Sequence, residues 1–328
     1  RNIAIGNGSM ENGTMTGADN TAVGHNALNL LGAANYNTAV GAYTLDSTTT
    51  GSNNIAVGRS ALGLNTTGAS NTAVGTFALD ANTTASNNTA LGYGALTANT
   101  TGADNVSIGS GTMGQNLTGA QNIAVGTNSL ANTTASNNTA VGNAAGHSIT
   151  SGTNNLTLGM DAGRSGSPGG NIVTGSNEIA LGDENIASAA IQVDWTVASD
   201  ARDKTDFTAL DLGLEFVKDL KPVTYKWDKR SKYGDKTADD YDLTAQTPDG
   251  THKEDWLDIG FKAQEVEALE IAAGYNKDNS TNLVSSHTGD GKQMGLQYSK
   301  FVPILVKAIQ EQNALIEALT ARITELEG

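Results

Sequence analysis

A serine and a lysine five positions apart are the residues of this sequence best suited to covalent chemistry. They open and close the run Ser-Asp-Ala-Arg-Asp-Lys that begins at Ser199. A serine hydroxyl needs a base to become a nucleophile, and a lysine is a base only where burial or nearby positive charge lowers its pKa. Arg202 can supply positive charge near Lys204. Asp200 and Asp203 can instead pair with Lys204 and keep it charged, so the residues alone leave both outcomes open.

The composition disfavours several other kinds of chemistry. The 328 residues include no cysteine, which leaves no thiol nucleophile, disulfide or thiolate metal site. The net charge of −15 argues against nucleic-acid binding, and no apolar run is long enough for membrane insertion. The acidic cluster at 239–242 can hold a cation through its oxygens, but a solvated loop is the favoured prediction. We expect no cofactor and no metal.

The four histidines are predicted to lie outside any site. His252 and His287 stand in polar, glycine-rich stretches and are expected in exposed loops. His25 and His147 occupy variable positions of an internal repeat and are expected at the surface.

That repeat organises the first part of the chain. The phrase Asn-Thr-Ala-Val-Gly occurs at 20–24, 37–41, 71–75 and 138–142, with close variants between them. Its closing glycine recurs every 17 residues in most copies. A short fixed period of this kind is typical of a solenoid, in which each repeat is one coil stacked on the next.

Each repeat contains two segments that can be strands. Thr-Ala-Val places β-branched residues around a small one, and Ala61-Leu62 or Ala78-Leu79 supplies a second apolar pair. Asn-Thr-Thr-Gly has turn chemistry. The sequence therefore predicts an all-β coil with two short strands and two turns. Because a single thin coil of small side chains buries little surface, we expect stacks to associate side by side.

Asparagine recurs at fixed positions of the repeat. Identical side chains stacked along a solenoid can hydrogen-bond as a ladder, which is the favoured interpretation. The alternatives are a ligand-binding face, for example for glycans, and an ice-binding face built on the threonine rows. The Asn-Thr-Thr glycosylation sequons arise from the repeat and are discounted.

A sharp change in composition predicts a domain boundary near residues 195–199. Residues 1–198 contain no lysine and only three arginines. We predict a repeat solenoid over 1–182, a connecting strand over 183–198 that includes the alternating run 191–197, and a second domain over 199–328 that ends in a helix over 301–327.

The repeats resemble the head repeats of trimeric autotransporter adhesins, which carry a similar Asn-x-Ala-Ile/Val-Gly phrase. The resemblance covers residues 1–182 and implies a parallel β-roll in a trimer.

The second domain resembles the intramolecular chaperone domain at the C-terminus of endosialidase-type phage tail spikes and tail fibres. Four ordered motifs carry this resemblance: the run at Ser199 and the segments 220–227, 260–267 and 298–305. It implies an α+β homotrimer that promotes folding of the preceding stalk. It also implies self-cleavage on the N-terminal side of the signature serine, here between Ala198 and Ser199.

The resemblance also implies roles for the residues of the signature run. Ser199 would be the nucleophile and Lys204 its base, with Asp200 and Arg202 in support. The activity implied is that of a single-turnover serine autoprotease rather than an enzyme that turns over.

The predicted last helix carries an a/d heptad pattern that is typical of a coiled coil. The a positions are Val302, Ile309, Ile316 and Ile323, and the d positions are Leu305, Gln312, Leu319 and Leu326. Isoleucine at a with leucine at d favours two strands, so the trimer rests on the resemblance. Packing of this helix on its own domain is the alternative.

The predicted protein is a host-facing fibre of a virion tail that attaches to a surface receptor or glycan, with no nucleic-acid partner. One alternative is a bacterial surface adhesin, which needs an anchor. The other is a polysaccharide-degrading spike whose enzymatic domain lies outside this chain, upstream of Arg1.

Overall fold

The computed structural model describes residues 1–167, 170–186, 188–190, 192, 197–235, 241–276, 283–288 and 290–328. These residues form two compact units. The first comprises residues 1–186 with 234–243, and the second comprises 187–233 with 244–328.

The first unit is a parallel β-solenoid, as predicted. Its strands form one sheet in which strand order follows chain order. Equivalent residues lie side by side, as Thr38 does beside Thr21. The strands are β1 (Ile3–Ile5), β2 (Thr21–Val23), β3 (Thr38–Val40), β4 (Ile55–Val57), β5 (Thr72–Val74), β6 (Thr89–Leu91), β7 (Val106–Ile108), β8 (Ile123–Val125), β9 (Thr139–Val141), β10 (Leu156–Leu158) and β11 (Ile179–Leu181).

The predicted second strand of each repeat is wrong. Ala61 and Leu62, like Ala78 and Leu79, lie in turns, and both leucines are in the left-handed region, at φ 53° and 52°. That conformation costs a leucine about 1 kcal/mol or more. Both leucine side chains are completely buried, which stabilises each by about 1.5–3 kcal/mol. Burial therefore outweighs the strain, and the apolar pair forms a turn.

Close stacking of the coils depends on the closing glycines. Gly92 has φ +139°, and a Cβ on it would lie 2.4 Å from the carbonyl oxygen of Gly109 in the next coil. No side chain fits there, and the conformation favours glycine. The recurring glycine of the sequence thus marks the place where one backbone rests directly on another.

A row of asparagines lies inside the solenoid and forms the predicted ladder. Asn71 Nδ2 donates to Asn54 Oδ1 at 3.2 Å and to the Ala85 carbonyl at 2.9 Å. Asn71 Oδ1 accepts the backbone N–H of Asn88 at 3.0 Å. Asn54, Asn71 and Asn88 are completely buried, so this row is not a ligand-binding face. The sequon asparagine Asn65 is buried as well.

The outer surface of the sheet carries one apolar row. The middle residue of most strands is a buried alanine, so the first and third residues point outward. The third position is apolar in every strand from β1 to β11 and includes Val40, Leu91 and Val141, all exposed. We call this row the strand face.

The second unit is α+β, as predicted. Its helices are α1 (Leu214–Asp219), α2 (Ala263–Ala272) and α3 (Phe301–Glu327). Antiparallel pairs join β12 (Val223–Tyr225) to β13 (Asp258–Gly260), and β14 (Ser285–His287) to β15 (Met294–Leu296). The core is formed by Leu212, Phe216, Val266, Val284, Phe301 and Ile304. Of the predicted connecting strand over 183–198, residues 183–186, 188–190, 192 and 197–198 are described and form no strand, and the remaining residues lie outside the described part of the chain.

A buried carboxylate fixes the chain that leads into β14. Glu270, on α2, accepts the backbone N–H groups of Leu283, Val284 and Ser285 at 2.8, 2.6 and 2.9 Å. It also accepts the hydroxyl of Ser285. Because Glu270 is completely buried, these donors replace the water that the carboxylate would otherwise need.

The helix α3 has one face packed on its own unit and another left exposed. Phe301, Ile304 and Ala308 are buried against the rest of the unit. The heptad residues are exposed, with Ile309 at 61% and Leu319 at 63%. The alternative, packing of the helix on its own domain, is confirmed for the buried row, which differs from the heptad row, and the coiled coil stays a prediction.

The prediction of an exposed loop is wrong for His287. It lies in β14, its Nε2 is 2.6 Å from Glu267 Oε1, and its side chain is only 19% exposed. Pairing of β14 with β15 places it against α2 instead of in a loop. His25 and His252 are exposed, as predicted. His147 is half-buried, and burial lowers its pKa.

Candidate active site

The signature run folds into a single tight turn. Asp200 caps a 3-10 helix over Ala201–Asp203, and its Oδ1 accepts the backbone N–H of Arg202 at 2.9 Å. The backbone N–H of Lys204 then donates to the Ala201 carbonyl at 3.3 Å. An aspartate is a favoured residue at such a cap because its carboxylate satisfies a free N–H.

This turn brings Ser199 and Lys204 of the same chain together. Lys204 Nζ lies 2.6 Å from Ser199 Oγ, within hydrogen-bonding distance. The separation falls in the range expected for a nucleophile and its base.

Of the two competing carboxylates, that of Asp200 is held by Arg202. The Arg202 guanidinium binds Asp200, with Nη2 2.5 Å from Oδ2, and this hydrogen bond lowers the pKa of the Asp200 carboxyl and raises that of Arg202. Among the described residues, neither Asp200 nor Asp203 forms an ion pair with Lys204. The charge of Arg202 is consequently matched by Asp200.

The turn is open to solvent. Residues 197–209 are all exposed, including Ala198, Ser199 and Lys204. Lysine is neutral more readily when buried, so an exposed lysine is poorly placed to act as a base. The geometry of a serine–lysine pair is present in the single chain, whereas the burial that would activate it is not.

The other three motifs meet in the second unit. The strand β12, from segment 220–227, pairs with β13, which ends at Gly260. The backbone N–H of Phe261 donates to the Tyr298 hydroxyl at 3.3 Å, and the rings of Phe261 and Phe301 are 5.2 Å apart. The signature run does not join them: within the described chain, no hydrogen bond or ion pair links residues 199–204 to these motifs.

Sequence reasoning missed Glu270, whose carboxylate positions the residues that lead into β14. Its signal was weak, because an isolated glutamate in a helix is usually exposed. The only hint was the adjoining Gly-Phe-Lys-Ala-Gln-Glu-Val segment.

Neither a metal site nor a membrane-spanning helix is present among the described residues. No group of three or more potential ligands among those residues is placed to hold a metal ion. Asp239 and Asp240, from the acidic cluster, lie outside the described residues. None of the described helices is both long and apolar enough to cross a bilayer.

Comparison with known families identifies the second part of the chain. Residues 199–275 match the family described as chaperone of endosialidase, and the match begins at Ser199. The chain thus carries a chaperone-of-endosialidase domain after an N-terminal β-solenoid of repeats. This supports an intramolecular chaperone role in a fibre or spike protein. Neither the curated proteins nor the solved structures gave a match.

Proposed function

We propose that this chain is a homotrimeric fibre protein of a phage tail whose C-terminal domain folds the solenoid and is then released by a cut between Ala198 and Ser199. The observation that carries the cleavage proposal is the 2.6 Å approach of Lys204 Nζ to Ser199 Oγ. The family match supports it by beginning at the residue that follows the cut.

The proposed reaction needs only the chain and water. Neutral Lys204 takes the proton of Ser199 Oγ, which bonds to the carbonyl carbon of Ala198. The Ala198–Ser199 peptide bond breaks, and its nitrogen takes up the proton to become the free amine of Ser199. Water then hydrolyses the resulting ester, which restores the serine hydroxyl and leaves a carboxylate on Ala198.

In this proposal, cleavage follows assembly. The pair is exposed in one chain, and a neighbouring chain that covered it would favour the neutral amine. The contact is made within one chain, so we assign the base in cis. The cut would then make folding irreversible, because the separated fibre no longer carries the domain that assembled it.

Two exposed apolar surfaces support the trimer. The strand face runs along all eleven strands of the solenoid, and the a/d row runs along α3. Exposed apolar surface on this scale usually marks a protein–protein contact. We propose that α3 gathers three chains through its a/d row and that the strand faces then pack together.

Such an order of events addresses a kinetic difficulty. Stacked coils form slowly when several chains must first find a common register, because the chains lose conformational entropy before the stabilising contacts form. A C-terminal trimer would align the last coils, and the remaining coils would add one at a time. The finished fibre would attach the virion to a receptor on the host surface.

The mass of the expressed chain tests cleavage. We expect two fragments, residues 1–198 and 199–328, from the parent and one intact chain from Ser199→Ala and Lys204→Met. Asp203→Asn is the matched control, because it alters the same exposed turn and should leave cleavage intact. An intact parent chain would reject the proposed cleavage. Cleavage of the Lys204→Met variant would reject only the role of Lys204 as the base.

The folding role has a separate test. Residues 1–198 expressed without the second domain should be aggregated or unfolded, and the same segment expressed as part of the Ser199→Ala chain should be a folded trimer. A soluble, thermally resistant trimer from residues 1–198 alone would show that no chaperone is needed.

A further inference from the structure

Two groups of large side chains lie on a surface of the solenoid that otherwise carries small side chains. Just after the closing glycine, most coils carry small residues. Six of the exceptions form two matching sets of a basic side chain, an aromatic ring and a carboxylate, which we call the two triads. They are His25, Tyr43 and Asp46, and Arg59, Phe77 and Asp80. Each member of the second triad follows its counterpart by 34 residues, which is two coils of 17.

The rings and cations are in contact within each triad. The rings of His25 and Tyr43 meet edge to face, with centroids 5.1 Å apart. The Arg59 guanidinium lies over the Phe77 ring, 5.3 Å from its centroid. Tyr93 extends the second triad, with its ring 6.2 Å from that of Phe77. Each basic side chain therefore packs against an aromatic ring, and Tyr43 and Tyr93 are exposed.

The carboxylates of Asp46 and Asp80 are half-buried, and neither accepts a hydrogen bond from any described residue. Burial raises the pKa of both carboxyl groups, opposed by the charge of His25 beside Asp46 and of Arg59 beside Asp80. A partly desolvated carboxylate gains from a donor supplied by a ligand.

The two triads occupy four consecutive coils and leave small residues between them. One coil after each member of the first triad, the equivalent positions carry Ala42, Ser60 and Gly63. Gly63 is buried, and a Cβ on it would lie 2.7 Å from Asp80 Oδ1. Successive parallel strands are about 4.8 Å apart, so equivalent points of the two triads are separated by about 10 Å. That advance is comparable to the length of one disaccharide unit.

We propose that the two triads are tandem subsites for a neutral polysaccharide with a repeating unit. A site that recurs with a fixed advance fits a ligand that recurs with the same advance. Tyr43 and Phe77 would lie against the apolar faces of sugar rings, and Asp46 and Asp80 would accept hydrogen bonds from sugar hydroxyls.

The charge of the solenoid favours a neutral polymer over an acidic one. Residues 1–198 hold three arginines and no lysine, against ten carboxylate side chains. An anionic polymer would be repelled by this excess of negative charge. The inference rests on the attachment role proposed above and assigns it a place on the fibre and a class of ligand.

The repeat itself provides substitutions that preserve the fold. Tyr43 and Phe77 have φ 60° and 61°, and the equivalent positions hold Asn26 and Asn128 at φ 52° and 54°. Tyr43→Asn and Phe77→Asn are therefore compatible with the backbone. Asp46→Asn and Asp80→Asn have a precedent in Asn29, at the same position of an earlier coil.

The matched control is Tyr36→Asn. Tyr36 is an exposed tyrosine of the solenoid at φ 58°, outside the triads, and asparagine occupies its position in other coils, as at Asn53 and Asn87. It removes one exposed ring without touching either triad. Unchanged circular dichroism and melting temperature will show that every variant is folded.

The experiment is affinity electrophoresis of the full chain through gels that contain mannan, laminarin, dextran or polygalacturonate. We expect at least one of the three neutral polymers to retard the parent and the Tyr36→Asn control. Loss of one triad should weaken binding about 100-fold, because tandem contacts reinforce one another, and loss of both should abolish it.

Three results would overturn the proposal. They are no retardation by any neutral polymer, retardation by polygalacturonate alone, and equal retardation of the parent and the Tyr43→Asn/Phe77→Asn variant. Adsorption of the labelled chain to a panel of bacterial strains is measured in parallel. Adsorption that survives in the double variant would reject the triads and leave the attachment role standing, whereas an absence of adsorption would count against attachment itself.

Discussion

The two units of this chain are stabilised by different kinds of internal contact. In the solenoid, a side chain such as Asn71 bonds to residues one coil away in either direction. In the second unit, single contacts join distant segments, as where Glu311 on α3 accepts the backbone N–H of Leu214 at 2.7 Å. That contact spans 97 residues, and it lowers the pKa of Glu311.

This difference indicates which unit can begin folding. A coil has partners only when its neighbours are formed, so an isolated coil gains little. The second unit closes a core of its own from distant segments and still has an exposed helical face. It is therefore the unit suited to form first and to gather other chains.

The largest effect is expected from a charge on the exposed face of α3. Ile316→Glu should convert the proposed trimer to monomers and leave the solenoid unfolded, because burying a carboxylate in the a/d row is strongly unfavourable. Sedimentation velocity and circular dichroism will measure both. Ala314→Glu, on the opposite side of the heptad, should keep the trimer. Assembly by Ile316→Glu chains would remove α3 from the proposed contact.

The next effect concerns backbone stacking within the solenoid. Gly92→Ala should lower the free energy of unfolding by about 3 kcal/mol or more, because it adds a Cβ against the Gly109 carbonyl in a strained conformation. Gly94→Ala is the control from the same coil, since nothing lies within 4 Å of a Cβ there. Thermal unfolding of both variants makes the comparison. Equal losses of stability in the two variants would mean that the backbone conformation alone, without the stacking contact, explains why glycine is needed at position 92.

A smaller loss is expected in the asparagine ladder. Asn71→Leu keeps the volume but leaves the Asn88 N–H without its acceptor, at about 1–3 kcal/mol. It also removes one of the two donors to the Ala85 carbonyl, which keeps its hydrogen bond from Asn82 Nδ2. Asn87→Ser changes the exposed neighbour, and serine already occupies that position at Ser70. Denaturant unfolding should separate the two variants. An unchanged free energy of unfolding in Asn71→Leu would show that apolar packing, rather than the ladder, stabilises the stack of coils.

The smallest effect is a gain in stability that depends on pH. Burial raises the pKa of Asp46 and Asp80 above the ordinary value of 3.8, so ionisation disfavours the folded state. Below pH 3.8 the two carboxyl groups are protonated in both the folded and the unfolded chain, so they cost no stability. Above their pKa in the folded chain they are ionised in both, and the full loss of stability applies. Asp46→Asn/Asp80→Asn should therefore raise the melting temperature slightly at pH 7 and leave it unchanged at pH 3. A lower melting temperature at pH 7 would assign these carboxylates a structural role instead of a binding role.

Much of the fold was predictable because it repeats. The 17-residue period, the closing glycine and the buried asparagine row each recur often enough to identify a solenoid. The heptad of α3 was predictable for the same reason. The two triads were not recognised, although their 34-residue offset is present in the sequence, because their members differ in type and resemble ordinary surface variation.

Local sequence also determined the turn that places Lys204 beside Ser199, because an aspartate cap and three helical residues suffice to form it. Tertiary structure alone decided that Leu62 lies in a turn, since its strained backbone is stable only when the coil buries the side chain. It also decided that His287 pairs with Glu267 and that α3 buries Phe301 while exposing Ile309. Each of these outcomes depends on segments far apart in the chain, which no local pattern records.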